Sequence, residues 1–451
     1  HQLACRRVVI FAVSFMAMVA RHSCLTSWSM VKQDVGDSMG ISVTILGAFE
    51  TTYLSFYAIG NFICGALGDR YPLRVVVPTG IFIAAAAYGG VIDMKIIIMG
   101  LAGANIVPMF FVCWAITGLA QATVWPGGVA LIGKWFSKRK RSAIMGFWST
   151  NSLFGDIVGT QMAGLLYNVA KLPWEACMFT AVCILVTSGV FFAIFVTDSP
   201  PPGTDISPDM SMDASLISTN APEKKEGISF WKAWALPGVA IYAAGFGCVK
   251  MLHYGFLFWL PYFIKNFLDT SGELEAGLAS TYDVGGIFGS LAGGYAIDRY
   301  ALRAPVVVPM IAMSLPFLVA FRFAHVLGIW IYFIIIPSIG FMVAGVHNLI
   351  SAAIAADLAQ NDQIRNNKET LGTVAGIIDG TGGFGAALGQ TVIGLLSTLG
   401  WDYVFVFLVG IAVAAFATLF PMLIKELRRR RQREELTNPV EEELKSNVAK
   451  P

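Results

Sequence analysis

A ten-residue segment occurs twice in this chain, and this duplication constrains the fold more than any other feature. Residues 65–74 read GALGDRYPLR and residues 294–303 read GYAIDRYALR, so both follow the pattern G-x-x-x-D-R-Y-x-L-R. A second match, one residue out of phase, pairs segment 154–166 with segment 384–396. A unit of about 200 residues is therefore present twice, which predicts two similar halves.

The chain is too apolar to fold as a soluble globule. Of its 451 residues, 56% are hydrophobic and only 13% are charged, and the mean hydropathy is +0.67. Apolar runs of about 20 residues can cross a bilayer. The sequence predicts twelve, near 8–31, 43–67, 75–99, 105–132, 142–166, 175–197, 234–268, 274–297, 304–324, 327–356, 371–397 and 402–424. The predicted fold class is thus an all-α membrane protein with twelve transmembrane helices in two parallel, pseudo-symmetric six-helix halves, an arrangement typical of transporters.

Polar segments set the predicted boundaries of these halves. Residues 1–197 form the N-terminal half, and residues 198–229, rich in Pro, Ser and Asp, form a flexible linker. Residues 230–425 form the C-terminal half, and residues 426–451 form a polar tail that we expect to be largely disordered.

Basic residues gather in alternate loops, which predicts the orientation of the chain. The densest runs are Lys138 to Arg141 and Arg428 to Arg431. Cytoplasmic loops carry the excess of Lys and Arg, so both termini and the linker are expected to face the cytosol.

Several classes of function find no support in the sequence. The seven cysteines are scattered without a CxxC pair or an accompanying His pair, so neither a disulfide nor a metal site is predicted. No Walker loop, GxSxG or HExxH motif occurs, so the chain is not expected to be an enzyme. We expect no cofactor, no metal and no nucleic-acid partner.

Two cations within the apolar runs indicate an anion site. A charge at the centre of a span costs about 2.5 to 3.5 kcal/mol, so it needs a reason. Arg21 lies well inside the first run, and Lys250 lies in the seventh, on one helix face with His253 and Tyr254. Both runs open their halves, so the two cations can converge and bind phosphate, which Arg holds bidentately and Lys as a point charge. The competing interpretation is that Arg21 and Lys250 anchor their helices at the membrane interface or pair with acidic residues.

Four carboxylates also fall inside predicted spans: Glu50, Asp156, Asp283 and Asp379. A proton-coupled carrier would need one of them. Asp283 and Asp379 stand beside glycines, where an Asp commonly caps exposed backbone amides, so a structural or gating role is expected for both. A lone His347 is expected to be a packing residue.

The duplicated segments place a charged pair at the same point of each half. Asp69 and Arg70 correspond to Asp298 and Arg299. Each pair follows a long apolar run, so we expect cytosolic gate elements in which the Asp pairs with an Arg or a helix N-terminus.

These motifs resemble known transporter signatures. The duplicated segment resembles the loop signature of the major facilitator superfamily, and further matches resemble the organophosphate:phosphate antiporters, most closely the eukaryotic sugar-phosphate exchangers. The matches are GLAQ (118–121), WP (125–126), GKWF (133–136), IMGFW (144–148), FWLP (258–261), YDVGG (282–286), AADL (355–358) and IIDGTG (377–382).

The resemblance implies that an Arg on the first span and a cation on the seventh bind phosphate, and Arg21 and Lys250 stand at those positions. The chain departs from the family at His22, where Lys is usual. It departs from bacterial relatives at His253, where they have Arg, and at Asn61, where they have Lys. The residues assigned to substrate binding are Arg21, His22, Tyr57, Asn151, Lys250, His253 and Tyr254.

The expected function is antiport of a sugar phosphate, such as glucose 6-phosphate or glycerol 3-phosphate, against inorganic phosphate. The resemblance also implies the endoplasmic reticulum membrane, and we expect a functional monomer. Closing an empty cavity over two cations would cost several kcal/mol per ion, and a bound phosphate dianion would remove that cost. Two alternatives remain open: a proton-coupled facilitator of a sugar or organic anion that uses Glu50 or Asp283, and a receptor or scaffold that binds a partner through residues 198–229.

Overall fold

The computed structural model describes residues 2–100, 107–136, 144–201, 230–268, 272–300, 302–354 and 369–448. Within these ranges the side chains of residues 2, 65–70, 93–100, 133, 230, 233, 272–273, 352–354, 369–373, 375 and 433–448 are not described. All regular secondary structure in the described residues is helical, which confirms the predicted all-α class.

The main helices of the described residues before the predicted linker are numbered α1 to α7. They are α1 (Gln2–Met39), α2 (Val43–Arg70), α3 (Leu73–Gly100), α4 (Val107–Gln121), α5 (Val124–Trp135), α6 (Asn151–Ala163, extended by a π-helix over Gly164–Val169) and α7 (Trp174–Phe195).

The main helices of the described residues after it are numbered α8 to α14. They are α8 (Phe230–Trp234), α9 (Val239–Phe267), α10 (Gly272–Tyr300), α11 (Ala304–Phe323), α12 (Tyr332–Asn348, extended by a π-helix over Leu349–Ile354), α13 (Glu369–Leu399) and α14 (Trp401–Val448). The expectation of a disordered tail is wrong up to Val448, because a segment rich in Glu, Arg, Lys and Leu continues α14.

Nine segments of the described residues are long and apolar enough to cross a membrane. Three predicted runs, 43–67, 142–166 and 274–297, are not among these nine, but they overlap α2, α6 and α10. The chain is therefore a multi-pass membrane protein, and the number of twelve spans stays a prediction.

Contacts between helix ends define the two ends of the bundle. At one end the Arg7 side chain donates a 3.2 Å hydrogen bond to the Trp135 carbonyl, and the Trp135 indole donates one of 2.9 Å to the Thr197 carbonyl. At the same end of the C-terminal half, Glu426 accepts a 2.9 Å hydrogen bond from the Arg303 amide. We call this the terminal end and the opposite one the far end.

The two predicted halves are joined at the far end. Lys265 of α9 forms a 2.7 Å ion pair with Asp34 of α1, and the amides of Gln33 and Asn266 exchange hydrogen bonds of 2.9 and 2.6 Å. Further contacts reach the middle of the bundle, where Thr51 donates a 2.6 Å bond to the Ala387 carbonyl. These contacts close the far end.

Candidate functional site

Arg21 lies halfway along α1 and is almost completely buried, with 1% of its surface exposed. Its Nη1 donates a 2.8 Å hydrogen bond to His22 Nε2, and its Nη2 donates one of 3.2 Å to the Tyr53 hydroxyl. Its Cζ lies 4.3 Å from the centroid of the Tyr57 ring. Within the described part of the chain, no carboxylate lies within ion-pair distance of Arg21, and its Nε has no hydrogen-bond partner.

Lys250 on α9 approaches the same ring from the other half. Its Nζ lies 5.9 Å from the Tyr57 centroid, so the structure brings Lys250 and Arg21 to one tyrosine. Unlike Arg21, Lys250 already has a counter-charge, because its Nζ lies 2.7 Å from Asp379 Oδ1. Asp379 Oδ2 also accepts a 3.1 Å hydrogen bond from Asn61 of α2. In this conformation Lys250 therefore pairs with an acidic residue, as the competing interpretation of the sequence proposed. Such a partner is needed because a buried ammonium is costly without a compensating charge.

His22 connects Arg21 to a carboxylate. A Cβ placed on Gly155 would lie 2.6 Å from His22 Cβ, and one on Gly159 would lie 2.3 Å from the Ser23 carbonyl, so α6 packs directly on α1. This close approach puts Asp156 Oδ1 3.0 Å from His22 Nδ1. Arginine can only donate, so His22 Nε2 accepts and Nδ1–H donates to Asp156, which assigns a neutral imidazole.

Aromatic side chains of the C-terminal half complete the cluster. His253 Nδ1 lies within hydrogen-bonding distance, 3.0 Å, of the Tyr282 hydroxyl. The His253 ring stacks on His347 of α12 at 4.3 Å and meets the Tyr254 ring edge-on at 5.4 Å. Tyr254 in turn lies 5.8 Å from Lys250 Nζ. His347 therefore belongs to the cluster, although its sequence context predicted only packing.

Asp283 and Asp379 do not cap helix ends. Both lie in the interior of long helices, α10 and α13. Asp283 is 3% exposed, and its Oδ1 has no hydrogen-bond partner among the described residues. The same holds for Oδ2 of Asp156, which is fully buried. The flanking glycines serve close packing of helices instead, because a Cβ on Gly285 would lie 2.0 Å from the Pro337 carbonyl.

Asn151 opens α6 at some distance from the cations. Its side-chain amide donates to the Trp148 carbonyl, and its Oδ1 has no partner among the described residues. None of its hydrogen bonds in the described part of the chain reaches Arg21 or Lys250. Its assignment to substrate binding stays a prediction.

The predicted gate residues are only partly described. The Asp69 and Arg70 side chains lie outside the described residues. Asp298 and Arg299 are exposed in the last turn of α10, at the terminal end. The gate assignment stays a prediction for all four.

Glu50 is paired within the N-terminal half. Lys32 directly follows the predicted run 8–31, but it lies on α1 because that helix extends to Met39, and it is fully buried. Its Nζ lies 2.8 Å from Glu50 Oε1 and 3.6 Å from the centroid of the Trp259 ring. This pairing weakens the case for Glu50 as a mobile proton carrier.

The duplication itself marks site residues, because equivalent positions of the two repeats meet at the site. Lys250 follows Arg21 at the spacing that separates Gly294 from Gly65. Tyr53 and Tyr282 are also equivalent in the repeat, and both donate or accept a hydrogen bond at the site, Tyr53 with Arg21 and Tyr282 with His253. Repeat-equivalent positions thus identify Tyr53 and Tyr282, whereas the hydrogen bonds of Asn61 to Asp379 and of His22 to Asp156 required the structure.

The chain matches a known family model and several known proteins. The family model of the Major Facilitator Superfamily matches residues 9–365 and 278–450. Sugar phosphate exchanger 3 of Gallus gallus is 32% identical over 85% of this chain and 80% of its own length. Putative glycerol-3-phosphate transporter 5 of Arabidopsis thaliana is 30% identical over 92% of this chain and 90% of its own length. A glucose-6-phosphate exchanger of Xenopus tropicalis is 30% identical over 85% and 81%.

Solved structures share the fold at low sequence identity. The inward-facing, unoccupied crystal structure of a bacterial homolog of the human lysosomal transporter Spinster superposes with a TM-score of 0.61 at 13% identity. The match covers 94% of this chain and 96% of that one. The occupied form of the same homolog gives a TM-score of 0.60. At this identity the likeness concerns the fold alone.

Proposed function

The chain belongs to the major facilitator superfamily, and we propose that it is an antiporter that exchanges a sugar phosphate for inorganic phosphate by alternating access. One observation carries the proposal: Arg21 and Lys250, at equivalent positions of the two repeats, lie against the same Tyr57 ring. An anion bound between them would contact both halves of the molecule. The names of the relatives, exchangers of sugar phosphate and glucose 6-phosphate and a putative transporter of glycerol 3-phosphate, support phosphate esters as substrates.

Arg21 is the first contact of the phosphate in this proposal. Its guanidinium has no carboxylate at ion-pair distance within the described residues, and its planar fork matches two phosphate oxygens. The hydrogen bonds from Nη1 to His22 and from Nη2 to Tyr53 hold the guanidinium in place. This preorganisation lowers the ordering cost of binding.

Lys250 engages the phosphate by exchanging partners. In the closed arrangement Asp379 neutralises Lys250, so an incoming phosphate competes with that carboxylate for Nζ. Asn61 remains hydrogen-bonded to Asp379 and can hold the carboxylate when Lys250 leaves it. Within the described residues, the empty site therefore leaves one cation, Arg21, without a direct counter-charge, where the sequence alone suggested two. Closing over phosphate remains favoured over closing empty, which gives exchange.

The organic part of the ester would lie against the aromatic cluster. His253, Tyr254 and His347 are contiguous and adjoin Lys250. Hydroxyl and imidazole groups on ring faces suit a polyhydroxyl compound, which presents both hydroxyls and apolar C–H edges. We infer that this aromatic surface determines which phosphate ester is selected.

We propose that the protein resides in the endoplasmic reticulum membrane and that both of its termini face the cytosol. The alternation of basic loops supports the orientation, and resemblance to the sugar-phosphate exchangers supports the membrane. A tag at each end should be reached by antibody after selective permeabilisation of the plasma membrane. Protection of both tags until the inner membranes are opened would contradict the orientation.

Counterflow from reconstituted vesicles tests the function. Vesicles loaded with unlabelled phosphate should accumulate labelled phosphate, and external glucose 6-phosphate or glycerol 3-phosphate should compete. The matched control is empty vesicles with the same protein, which should accumulate little. Uptake that needs a pH gradient and no internal phosphate would instead favour a proton-coupled facilitator.

A further inference from the structure

Helices α6 and α10, from opposite halves, pack antiparallel with a defined register. Toward the far end, Gln161 Nε2 donates a 2.8 Å hydrogen bond to Ser280 Oγ. Toward the terminal end, a Cβ placed on Gly286 would lie 3.1 Å from Leu153 Cδ1. These two contacts fix which residues of the two helices lie opposite each other.

Asp156 and Asp283 lie between these contacts at the same level. Asp156 is three residues after Leu153, and Asp283 is three residues before Gly286. Residues three apart share a helix face, so both carboxyl groups are on the faces that α6 and α10 present to each other. The packing register thus places the two acidic residues at one level of the interface between the halves.

Both side chains are buried and incompletely bonded. Asp156 is 0% and Asp283 is 3% exposed. Oδ1 of Asp156 accepts from His22, but Oδ2 of Asp156 and Oδ1 of Asp283 have no hydrogen-bond partner among the described residues. A buried carboxylate oxygen without a partner is costly, and two facing carboxylates add mutual repulsion.

The surrounding charges do not neutralise both carboxylates. The nearest cation without a carboxylate of its own, in the described part of the chain, is Arg21, while Lys250 is paired with Asp379. Among the described residues, the titratable and charged groups that interact with the pair are Arg21 and His22 from α1, Tyr53 from α2, Tyr254 from α9 and Tyr282 from α10. One positive charge therefore stands against two acidic groups.

We propose that Asp156 and Asp283 share one proton and form a proton-binding site across the two halves. The proton resides on one of the two free oxygens, Asp156 Oδ2 or Asp283 Oδ1, and comes from water when the cavity opens. The proton-bound pair carries one negative charge, which Arg21 balances through His22. Loss of the proton leaves two negative charges facing each other between α6 and α10.

Proton binding and anion binding are then linked. A second negative charge beside Arg21 weakens the attraction for phosphate, so by reciprocity phosphate binding takes up a proton. This consequence rests on the proposed function, whereas the shared proton rests on the α6–α10 geometry alone. Homologous phosphate exchange moves no net proton, so it remains independent of a pH gradient while depending on pH.

Infrared titration of the purified protein tests the shared proton directly. Wild-type protein should show a protonated-carboxyl absorbance that diminishes as the pH is raised. D283N should lose this absorbance, because Asp156 alone keeps the His22 hydrogen bond and the balancing charge of Arg21. D156N should change its pH dependence, because the repulsion on the buried Asp283 is removed. D402N is the matched control, because Asp402 is exposed and pairs with Arg322 outside the half interface. D402N should keep the wild-type absorbance.

Two results would overturn the shared proton. One is a wild-type spectrum without a titrating protonated carboxyl, which needs no variant to be folded. The other is spectra of folded D156N and D283N that match wild type across the pH range.

A dye measurement tests the linkage separately. In weakly buffered solution, phosphate added to wild type should take up more protons than phosphate added to D283N at the same pH. The ratio of phosphate affinities at about pH 6 and about pH 8 should be about tenfold larger in wild type than in D283N. Phosphate's own ionisation is common to both proteins and cancels. Equal proton uptake would refute the linkage. Failure of wild type to bind phosphate would count against the proposed function, and the infrared result would still decide on the shared proton.

Discussion

At the scale of single residues, Arg21 and Lys250 differ in their partners. Arg21 hydrogen-bonds to neutral His22 and to Tyr53, whereas Lys250 forms an ion pair with Asp379. The difference follows from packing, because α13 brings Asp379 to Lys250, whereas no carboxylate of the described residues lies within ion-pair distance of Arg21. The two cations should therefore respond differently to conservative exchange.

Exchanging the two cation types should have unequal effects. Arg21→Lys keeps the charge but loses the fork and the contact to His22 or Tyr53, so it should weaken phosphate binding by about 1.5 to 3 kcal/mol. Lys250→Arg keeps the pair with Asp379 and should change binding by less than about tenfold. Half-saturation for phosphate exchange in vesicles measures both. Equal losses in the two variants would contradict the assignment of the fork to Arg21.

Asp379→Asn should make phosphate a stronger stabiliser of the protein. The substitution leaves Lys250 buried without its counter-charge, which costs about 3 to 5 kcal/mol in the absence of ligand. Bound phosphate replaces the lost charge, so the rise in Tm on adding phosphate should exceed that of wild type. Asp402→Asn, remote from the site, serves as the control. A phosphate shift no larger than in wild type would show that phosphate does not approach Lys250.

At the scale of helices, the site depends on how closely α1 and α6 pack. Gly155 and Gly159 allow the backbone contact that brings Asp156 to His22. Gly159→Ala would place a Cβ 2.2 Å from Thr26 Oγ1 and 2.3 Å from the Ser23 carbonyl. Such overpacking should destabilise the protein by about 1 to 3 kcal/mol and reduce exchange.

Gly410→Ala is the matched control for this helix contact. Gly410 lies on α14, and an added Cβ would have nothing within 4 Å. It should leave the melting temperature and exchange close to wild type. Equal effects of Gly159→Ala and Gly410→Ala would show that the α1–α6 contact does not support the site.

The sequence predicted which segments are helical better than it predicted which side chains pair with each other. The glycine spacing at 155 and 159 and the repeat-equivalent cations were readable, because they depend on residues close in sequence or on the copied register. The pair of Lys250 with Asp379 was not, since it depends on how α9 packs on α13. The end of α1 was placed too early for a related reason. Lys32 suggested a loop, but Glu50 of the next helix neutralises it within the bundle.

At the scale of the whole molecule, alternating access requires the far end to open. The ion pair of Asp34 with Lys265 holds the halves together there and is partly exposed. Lys265→Asp should therefore favour the arrangement open at the far end and lower the exchange rate, by a few-fold, since such a pair contributes about 0.2 to 1 kcal/mol and the like charges add repulsion. The double exchange Asp34→Lys with Lys265→Asp should recover most of the rate.

Recovery of the exchange rate in the double variant would show that Lys265→Asp acts by breaking a contact between the halves and not by unfolding the protein. The rate is measured as initial phosphate exchange in vesicles at matched protein. A double variant as slow as Lys265→Asp would indicate that the pair does not control closure. The affinity for phosphate should be unchanged in both variants, because the Asp34–Lys265 pair does not touch Arg21 or Lys250.

Phosphate exchange by the Arg21→Ala and Lys250→Ala variants tests the central claim, that one anion is bound between equivalent cations of the two halves. Both variants, with Lys232→Ala as an exposed control, are compared in vesicles at matched protein. Loss of either buried charge should weaken phosphate binding by about 2 to 5 kcal/mol, whereas Lys232→Ala should exchange like wild type. Near wild-type phosphate exchange by either Arg21→Ala or Lys250→Ala would contradict the account.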